Sequence, residues 1–175
     1  MCGIVGYIGK KYNCIEVLIK GLTSLEYRGY DSAGIAYLKD NKIKTIKKEG
    51  KLEHLKAKID FKENSNIGIA HTRWATHGKA NTINAHPHTS GKITLVHNGI
   101  IENYQTLKEE LLKQGYKFKS ETDTEVIAVL LDNIYKKEKD MLKAINILQK
   151  ELKGSYALAI INSDEKDTLY AIRNK

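Results

Sequence analysis

Two pairs of short apolar segments constrain this chain most. Residues 33–38 and 43–48 read as two strands joined by a turn at Asp40-Asn41, and residues 156–161 and 168–173 read as a second pair turning at Asp164. Strands joined this tightly can only pair antiparallel. Three further strands are expected at 4–8, 67–73 and 93–97, the last ending at Asn98-Gly99. Helical stretches separate them. Asn13 can cap a helix with the apolar stripe Ile15, Leu18, Ile19, Leu22 and Leu25, which must stop near Arg28-Gly29. A short helix is expected at 51–59, another runs from an Asn103 cap to Gly115, and a third covers 140–152 and stops at Gly154. Thr122-x-x-Glu125 is a capping box ahead of Val126 to Leu131. Hairpins mixed with paired helices favour an α+β fold over a doubly wound α/β sheet.

Size and composition agree. The 175 residues suit one domain, and a chain of this length buries about 70% of its unfolded surface. With 41% apolar and 29% charged residues it is globular, and its single proline leaves no room for a Pro-rich linker. No apolar run approaches the roughly 20 residues that span a bilayer, and Met1-Cys2-Gly3 does not open a cleavable signal. Cys2 and Cys14 cannot make a disulfide scaffold, so the cytoplasm is the expected compartment. The sequence ends on a strand, which suggests a fragment of something longer. The net charge of +8 is carried by lysines rather than arginines, with nine of them in residues 39–62. Nucleic-acid surfaces combine arginine with stacking aromatics, so these lysines read as a solvated face and no nucleic-acid partner is expected.

Four features carry chemistry. Removal of Met1, ordinary before a small residue, would give Cys2 both a thiol and a free α-amine. An α-amine titrates near pH 7.7–8.0, which suits a general base, so nucleophile and base would share one residue. Position alone leaves an inert thiol as the competing reading, and that reading is the stronger one for Cys14 inside the first helix. Arg73, at a strand end beside the long polar segment 74–91, could hold a carboxylate bidentately, with Trp74 as a lid, or be a surface arginine next to a core tryptophan. A loop of that length is usually functional. Asn98-Gly99 could be a hairpin turn, but Ile100-Ile101-Glu102-Asn103 leads into a helix, so an oxyanion hole from the Asn98 amide and the Gly99 N–H competes with it. Asp123, at a helix start, is either a dipole-favoured acid or an acceptor for an ammonium. Five of the six histidines, His71, His77, His86, His88 and His97, crowd into 27 residues, yet no metal-site spacing accompanies them, and no metal or cofactor is expected.

Taken together, Met-Cys-Gly-Ile-Val-Gly at 1–6, Leu-Glu-Tyr-Arg-Gly-Tyr-Asp-Ser-Ala-Gly at 25–34, His-Thr-Arg-Trp-Ala-Thr-His-Gly at 71–78, Asn-Ala-His-Pro-His at 84–88, Val-His-Asn-Gly-Ile-Ile-Glu-Asn at 96–103 and Ser-Glu-Thr-Asp-Thr-Glu-Val at 120–126 resemble the glutaminase domain of the glutamine–fructose-6-phosphate aminotransferases, over residues 1–175. The resemblance implies an N-terminal-nucleophile hydrolase, an αββα sandwich of antiparallel sheets. It implies hydrolysis of L-glutamine to glutamate and ammonia, the ammonia passing to a separate domain that holds fructose 6-phosphate. Cys2 matches the nucleophile, Asn98 and Gly99 the oxyanion hole, Arg73 the ligand of the glutamine carboxylate and Asp123 that of its α-amine. Thr76 and His77 match further glutamine-binding positions, and Trp74 belongs to the closing loop. Arg28, His86 and His97 match residues close to the site. Residues 1–175 would then be a class II amidotransferase domain lacking its C-terminal part and the sugar-isomerase domain, and the full-length enzyme is expected to be a homo-oligomer. Another class II glutaminase branch, or a catalytically silent module, is the competing reading.

Overall fold

The computed structural model describes residues 2–75 and 78–174. Thr76 and His77, both expected in the glutamine site, lie outside the described residues, as do Met1 and Lys175. Eight strands form two antiparallel sheets. The first contains β1 (Gly3–Ile8), β2 (Ser32–Lys39), β3 (Lys42–Glu49) and β4 (Ile67–Arg73), in the order β1-β4-β2-β3. The second contains β5 (His88–Ser90), β6 (Ile93–Ile101), β7 (Gly154–Asn162) and β8 (Leu169–Asn174), in sequence order.

Alternation along each strand decides which face is covered by what. On β2, Ala33, Ile35 and Tyr37 point outward to α1 (Cys14–Leu25) and α2 (Leu52–Lys56), burying Ile15, Leu18, Leu22, Leu52 and Leu55. Ala36, between them in sequence, points inward and meets Ile67, Ile69, Val96, Ala159 and Ile161 between the sheets. On the second sheet Ile93, Leu95, Tyr156, Leu158 and Ile160 face α4 (Asp123–Glu138), which α3 (Tyr104–Lys113) and α5 (Met141–Glu151) flank. The layers therefore run helix, sheet, sheet, helix, the expected αββα sandwich. Among the described residues no helix is long and apolar enough to cross a membrane.

Three local expectations need correction. The strand at 93–97 does not end at Asn98-Gly99: β6 continues to Ile101, paired with β7 throughout. Gly99 permits this, because at its φ of 124° a Cβ would fall 2.1 Å from the Ser155 carbonyl oxygen. Asn103 precedes α3 but makes no side-chain cap there. Its amide instead donates to Glu151 O and accepts from Lys153 N, tying the end of α5 to β6. The polar segment 74–91 also contains β5, three residues whose pairing is helped by Thr89 Oγ1 and Thr94 Oγ1, 2.9 Å apart. The caps at Asn13, which accepts from Ile15 N, and Asp140, which accepts from Lys143 N, form as side-chain bonds.

The Asn84–His88 segment comes close over the inward face of β2. At Gly34 a Cβ would stand 2.1 Å from the His86 carbonyl oxygen, a clash with main chain that no rotamer change relieves. Gly34→Ala is therefore expected to lower stability by about 1–3 kcal/mol, read as a drop of several degrees in Tm; an unchanged Tm would show that this segment yields freely.

Candidate functional site

Register brings the site together. β1 pairs with β4 so that Gly3 opposes Thr72, which sets Cys2 beside Arg73 and Trp74, 71 and 72 positions away in sequence. Cys2 Sγ accepts the Trp74 backbone N–H at 3.2 Å and lies 3.5 Å from the Trp74 carbonyl oxygen. Asp31 grips the chain on either side of Trp74. Its N–H donates to Arg73 O at 2.7 Å, and its carboxylate accepts the Ala75 N–H at 2.5 Å. The Trp74 ring rests on Gly29, whose φ of 73° and lack of a Cβ leave room for it; a Cβ there would lie 2.8 Å from the ring. Asp31 was not identifiable as part of the site from sequence, although it stands in the Arg28–Gly34 motif.

Strand parity explains the next pair. His71 shares its face of β4 with Ile67 and Ile69, and Asn98 shares its face of β6 with Val96, so both point between the sheets. They meet there, His71 Nε2 lying 2.8 Å from Asn98 Oδ1. Held in this way, the Asn98 amide turns its Nδ2 to the Cys2 carbonyl oxygen, 3.4 Å away. His97 has the opposite parity and faces α4.

At the α4 N-terminus, Thr122 accepts the Glu125 N–H as the sequence predicts. The return half of the capping box differs: the Glu125 carboxylate reaches past Thr122 and accepts from Lys119 N, Ser120 N and Ser120 Oγ. This loop and cap set Asp123 in the first turn, where its Oδ2 accepts the Ile101 N–H at 3.1 Å. The helix N-terminus favours the carboxylate as an anion.

Cys2, Arg73, Trp74, His86, His97, Gly99, Thr122, Asp123 and Thr124 line one cavity of about 30 Å³. That volume holds a water molecule. The guanidinium of Arg73 closes it on one side, donating to Lys79 O at 3.2 Å and Gly78 O at 3.4 Å. Trp74 is 53% exposed above it. Six of the residues expected in or near the site thus converge on this cavity together with Cys2. Asn98 approaches from behind Cys2, and Arg28 lines a separate, larger cavity with Asn98 and Arg173. Thr122 and Thr124 were not singled out in the sequence as lining residues. Cys14, the first residue of α1, is fully buried, and desolvation pushes its thiol up to about 12, so it stays protonated at neutral pH.

The histidine crowd is a packed polar layer. His71 and His86 stack with ring centroids 4.2 Å apart, and His88 meets the edge of His86 at 5.2 Å. Among the described residues no group of three or more His, Cys, Asp or Glu could hold a metal ion. Burial is the main cause that holds His71 and His88 down at about 3 and His86 well below its ordinary value, with the Arg73 cation opposing their protonation as well. In the unfolded chain each imidazole takes up a proton near pH 6.5. The unfolded state therefore binds more protons below that pH, and the stability these groups contribute is complete above pH 7 and lost as pH falls from 6.5 toward 3. The expected slope is about 1.4 kcal/mol per pH unit for each imidazole. Urea unfolding at pH 7.5 and pH 5 measures it; equal midpoints would show that these histidines are not held neutral.

The family model of the glutamine amidotransferase domain matches residues 71–175. The glutamine–fructose-6-phosphate aminotransferase (isomerizing) of Clostridium perfringens is 52% identical over 178 residues, covering 99% of this chain and 28% of that protein. The enzyme of the same name from Thermococcus kodakarensis is 52% identical over 178 residues, covering 100% of this chain and 29% of that protein. The chain thus spans under a third of the length of the curated relatives it matches. Among solved structures, the glutamine phosphoribosylpyrophosphate amidotransferase of B. subtilis, complexed with ADP and GMP, superposes with a TM-score of 0.73 at 28% identity, over 93% of this chain and 35% of that one. A class II glutamine aminotransferase domain protein from Silicibacter pomeroyi shares the fold, with a TM-score of 0.61 at 15% identity over 100% of this chain and 77% of that one. The αββα sandwich is accordingly the N-terminal-nucleophile hydrolase fold, and this chain belongs to the glutamine amidotransferase domain family.

Proposed function

We propose that this domain hydrolyses the side-chain amide of L-glutamine, with Cys2 as nucleophile, and supplies the ammonia to a fructose 6-phosphate site on a sugar-isomerase domain outside this chain. Residues 1–175 would form most of a class II amidotransferase domain, and the whole enzyme, a cytoplasmic homo-oligomer, would make glucosamine 6-phosphate for hexosamine biosynthesis. The observation that carries this reading is the convergence of a thiol at the start of β1, a guanidinium and a carboxylate on one cavity. The names and identities of the relatives support the choice of acceptor.

The chemistry is acyl transfer. The α-amine of Cys2, exposed by loss of Met1, takes the thiol proton through a water. The thiolate attacks the amide carbon of glutamine, and the oxyanion is stabilised by the Asn98 amide and the Gly99 N–H; one such donor is worth about 2.7–4 kcal/mol. The C–N bond breaks as the nitrogen receives the proton and leaves as ammonia. Water then hydrolyses the thioester, giving glutamate and the free thiol. Arg73 binds the α-carboxylate and Asp123 the α-ammonium, and Thr76 and His77, outside the described residues, are proposed as further glutamine ligands. His71 orients the Asn98 amide, and Asp31 holds the Trp74 N–H against the sulfur.

Trp74, half-exposed beside the cavity in a polar loop that also holds Gly78, would act as the lid over bound glutamine. Trp74 is the only tryptophan, and its fluorescence is expected to shift when L-glutamate saturates the site. An unchanged spectrum on confirmed binding would mean a rigid loop. Reaction with 6-diazo-5-oxo-L-norleucine is expected to label Cys2 alone. In the intact protein Cys2→Ala should abolish glutamine hydrolysis while Cys14→Ala keeps most of it; substantial turnover by Cys2→Ala would sink the mechanism.

A further inference from the structure

Thr124, fully buried in the first turn of α4, stands where three groups of the site meet. Its Oγ1 lies 3.1 Å from His86 Nε2, 3.1 Å from His97 Nδ1 and 3.3 Å from Asp123 Oδ1. A hydroxyl has one proton to give, so the directions of these bonds can be worked out. The His97 backbone N–H donates to His86 Nδ1 at 3.4 Å, so that nitrogen carries the lone pair. Burial keeps His86 neutral, and its one proton is therefore on Nε2, donated to Thr124. His97 Nε2 has no hydrogen-bond partner among the described residues. A buried N–H without a partner is rarer than a buried lone pair without one, which puts the His97 proton on Nδ1, facing both Thr124 Oγ1 and, at 3.5 Å, Asp123 Oδ1. With two donors already directed at its oxygen, the Thr124 hydroxyl has one acceptor left, Asp123 Oδ1.

We propose that Thr124 is a positioning residue for ammonium recognition, collecting the imidazole protons of His86 and His97 and passing its own to Asp123. The Asp123 carboxylate is then held at both oxygens, Oδ2 by the Ile101 N–H and Oδ1 by Thr124 and His97, in one orientation at the cavity wall. Hydrogen bonds donated to a carboxylate favour its anionic form, and fixing the carboxylate in advance removes an ordering cost from binding. The role belongs to the side chain at 124 because a neighbouring helix position would point elsewhere, and only a hydroxyl both accepts from imidazole and donates to carboxylate. The proposal rests on the reading of Asp123 as the ligand of the α-ammonium.

The test compares ligands with and without that ammonium, L-glutamate and glutarate, by their protection of Cys2 from iodoacetamide in the intact protein. The wild type is expected to bind glutamate at least about ten-fold more tightly than glutarate, the effect of one charge-assisted bond. Thr124→Val, which keeps the shape and removes the hydroxyl, should weaken glutamate about ten-fold and leave glutarate within two-fold, so the preference collapses. Thr124→Ser should restore it, and in an Asp123→Asn background Thr124→Val should change nothing further. Should the valine variant fail to fold, Thr124→Ser still tests the role, because it loses only a methyl group and must retain the preference. Equal weakening of both ligands, a valine variant with the normal preference, or a serine variant without it would overturn the role of Thr124. A wild type that binds both ligands alike would instead remove the ammonium site from Asp123, and with it the basis of this proposal, while labelling of Cys2 by the diazoketone would remain a separate check on the nucleophile.

Discussion

The pairing of β1 with β4 is the constraint on which the site depends. β1 is an edge strand that begins two residues into the chain, where termini are ordinarily loose. Six register pairs fasten it, from Gly3 opposite Thr72 to Ile8 opposite Ile67. A slip of one residue would turn every side chain of β1 to the other face and withdraw Cys2 from the backbone of Trp74. α1 guards against the slip. At Gly21 and Gly3 the helix and strand approach so closely that a Cβ would lie 2.7 Å from Val5 and 2.6 Å from Leu25. Packing of an apolar helix stripe thus fixes the position of a thiol, and Asp31 fixes the main chain that the thiol touches.

Polarity is unusually concentrated at one end of the inter-sheet space. Away from it, Ile67, Ile69, Val96 and Ile161 fill the gap. Toward it, buried His71 and His86 and half-buried Asn98 replace them, His71 and Asn98 partnering each other and His86 accepting the His97 N–H. Neutral imidazoles suit such a place, because they orient amides and hydroxyls without bringing in charge. The charged groups, Arg73 and Asp123, stand at the ends of β4 and at the start of α4, where main-chain carbonyls and N–H groups receive them. The charged side chains and the His71–Asn98 pair beside Cys2 therefore occupy adjoining parts of one cleft, and side-chain parity along β4 and β6 sends His71 and Asn98 between the sheets.

Much of this was legible in the chain. The hairpin pair at 33–38 and 43–48, the strand at 67–73, the α1 stripe and the turn at Asp40-Asn41 are local signals, and each element formed where its signal lies. Cys2, Arg73, Asn98-Gly99 and Asp123 stand out because each combines reactive chemistry with an element end or a motif. Other features were hidden. Asn98-Gly99 looks like the end of a strand, yet β6 runs on because β7 supplies hydrogen bonds over the whole length and Gly99 lets the Ser155 carbonyl approach. Asn103 looks like a cap, yet its amide has a better use bridging Glu151 and Lys153. In both cases a partner distant in sequence outcompeted the local preference.

The sequence by itself determined most of the elements, the two hairpin pairs, the α+β class and the residue types able to do amide chemistry, because apolar patterning, capping and turn formation act over a few residues, while the two-sheet sandwich followed only from the family resemblance. Only the tertiary structure decided which of those residues share a cavity. Strand register places Cys2 against Trp74, parity sends His71 to Asn98 and His97 to Thr124, and the short reach between β6 and α4 makes Thr124 a meeting point for protons. Those choices depend on contacts between residues 27 to 96 positions apart, and no pattern within a single segment encodes them.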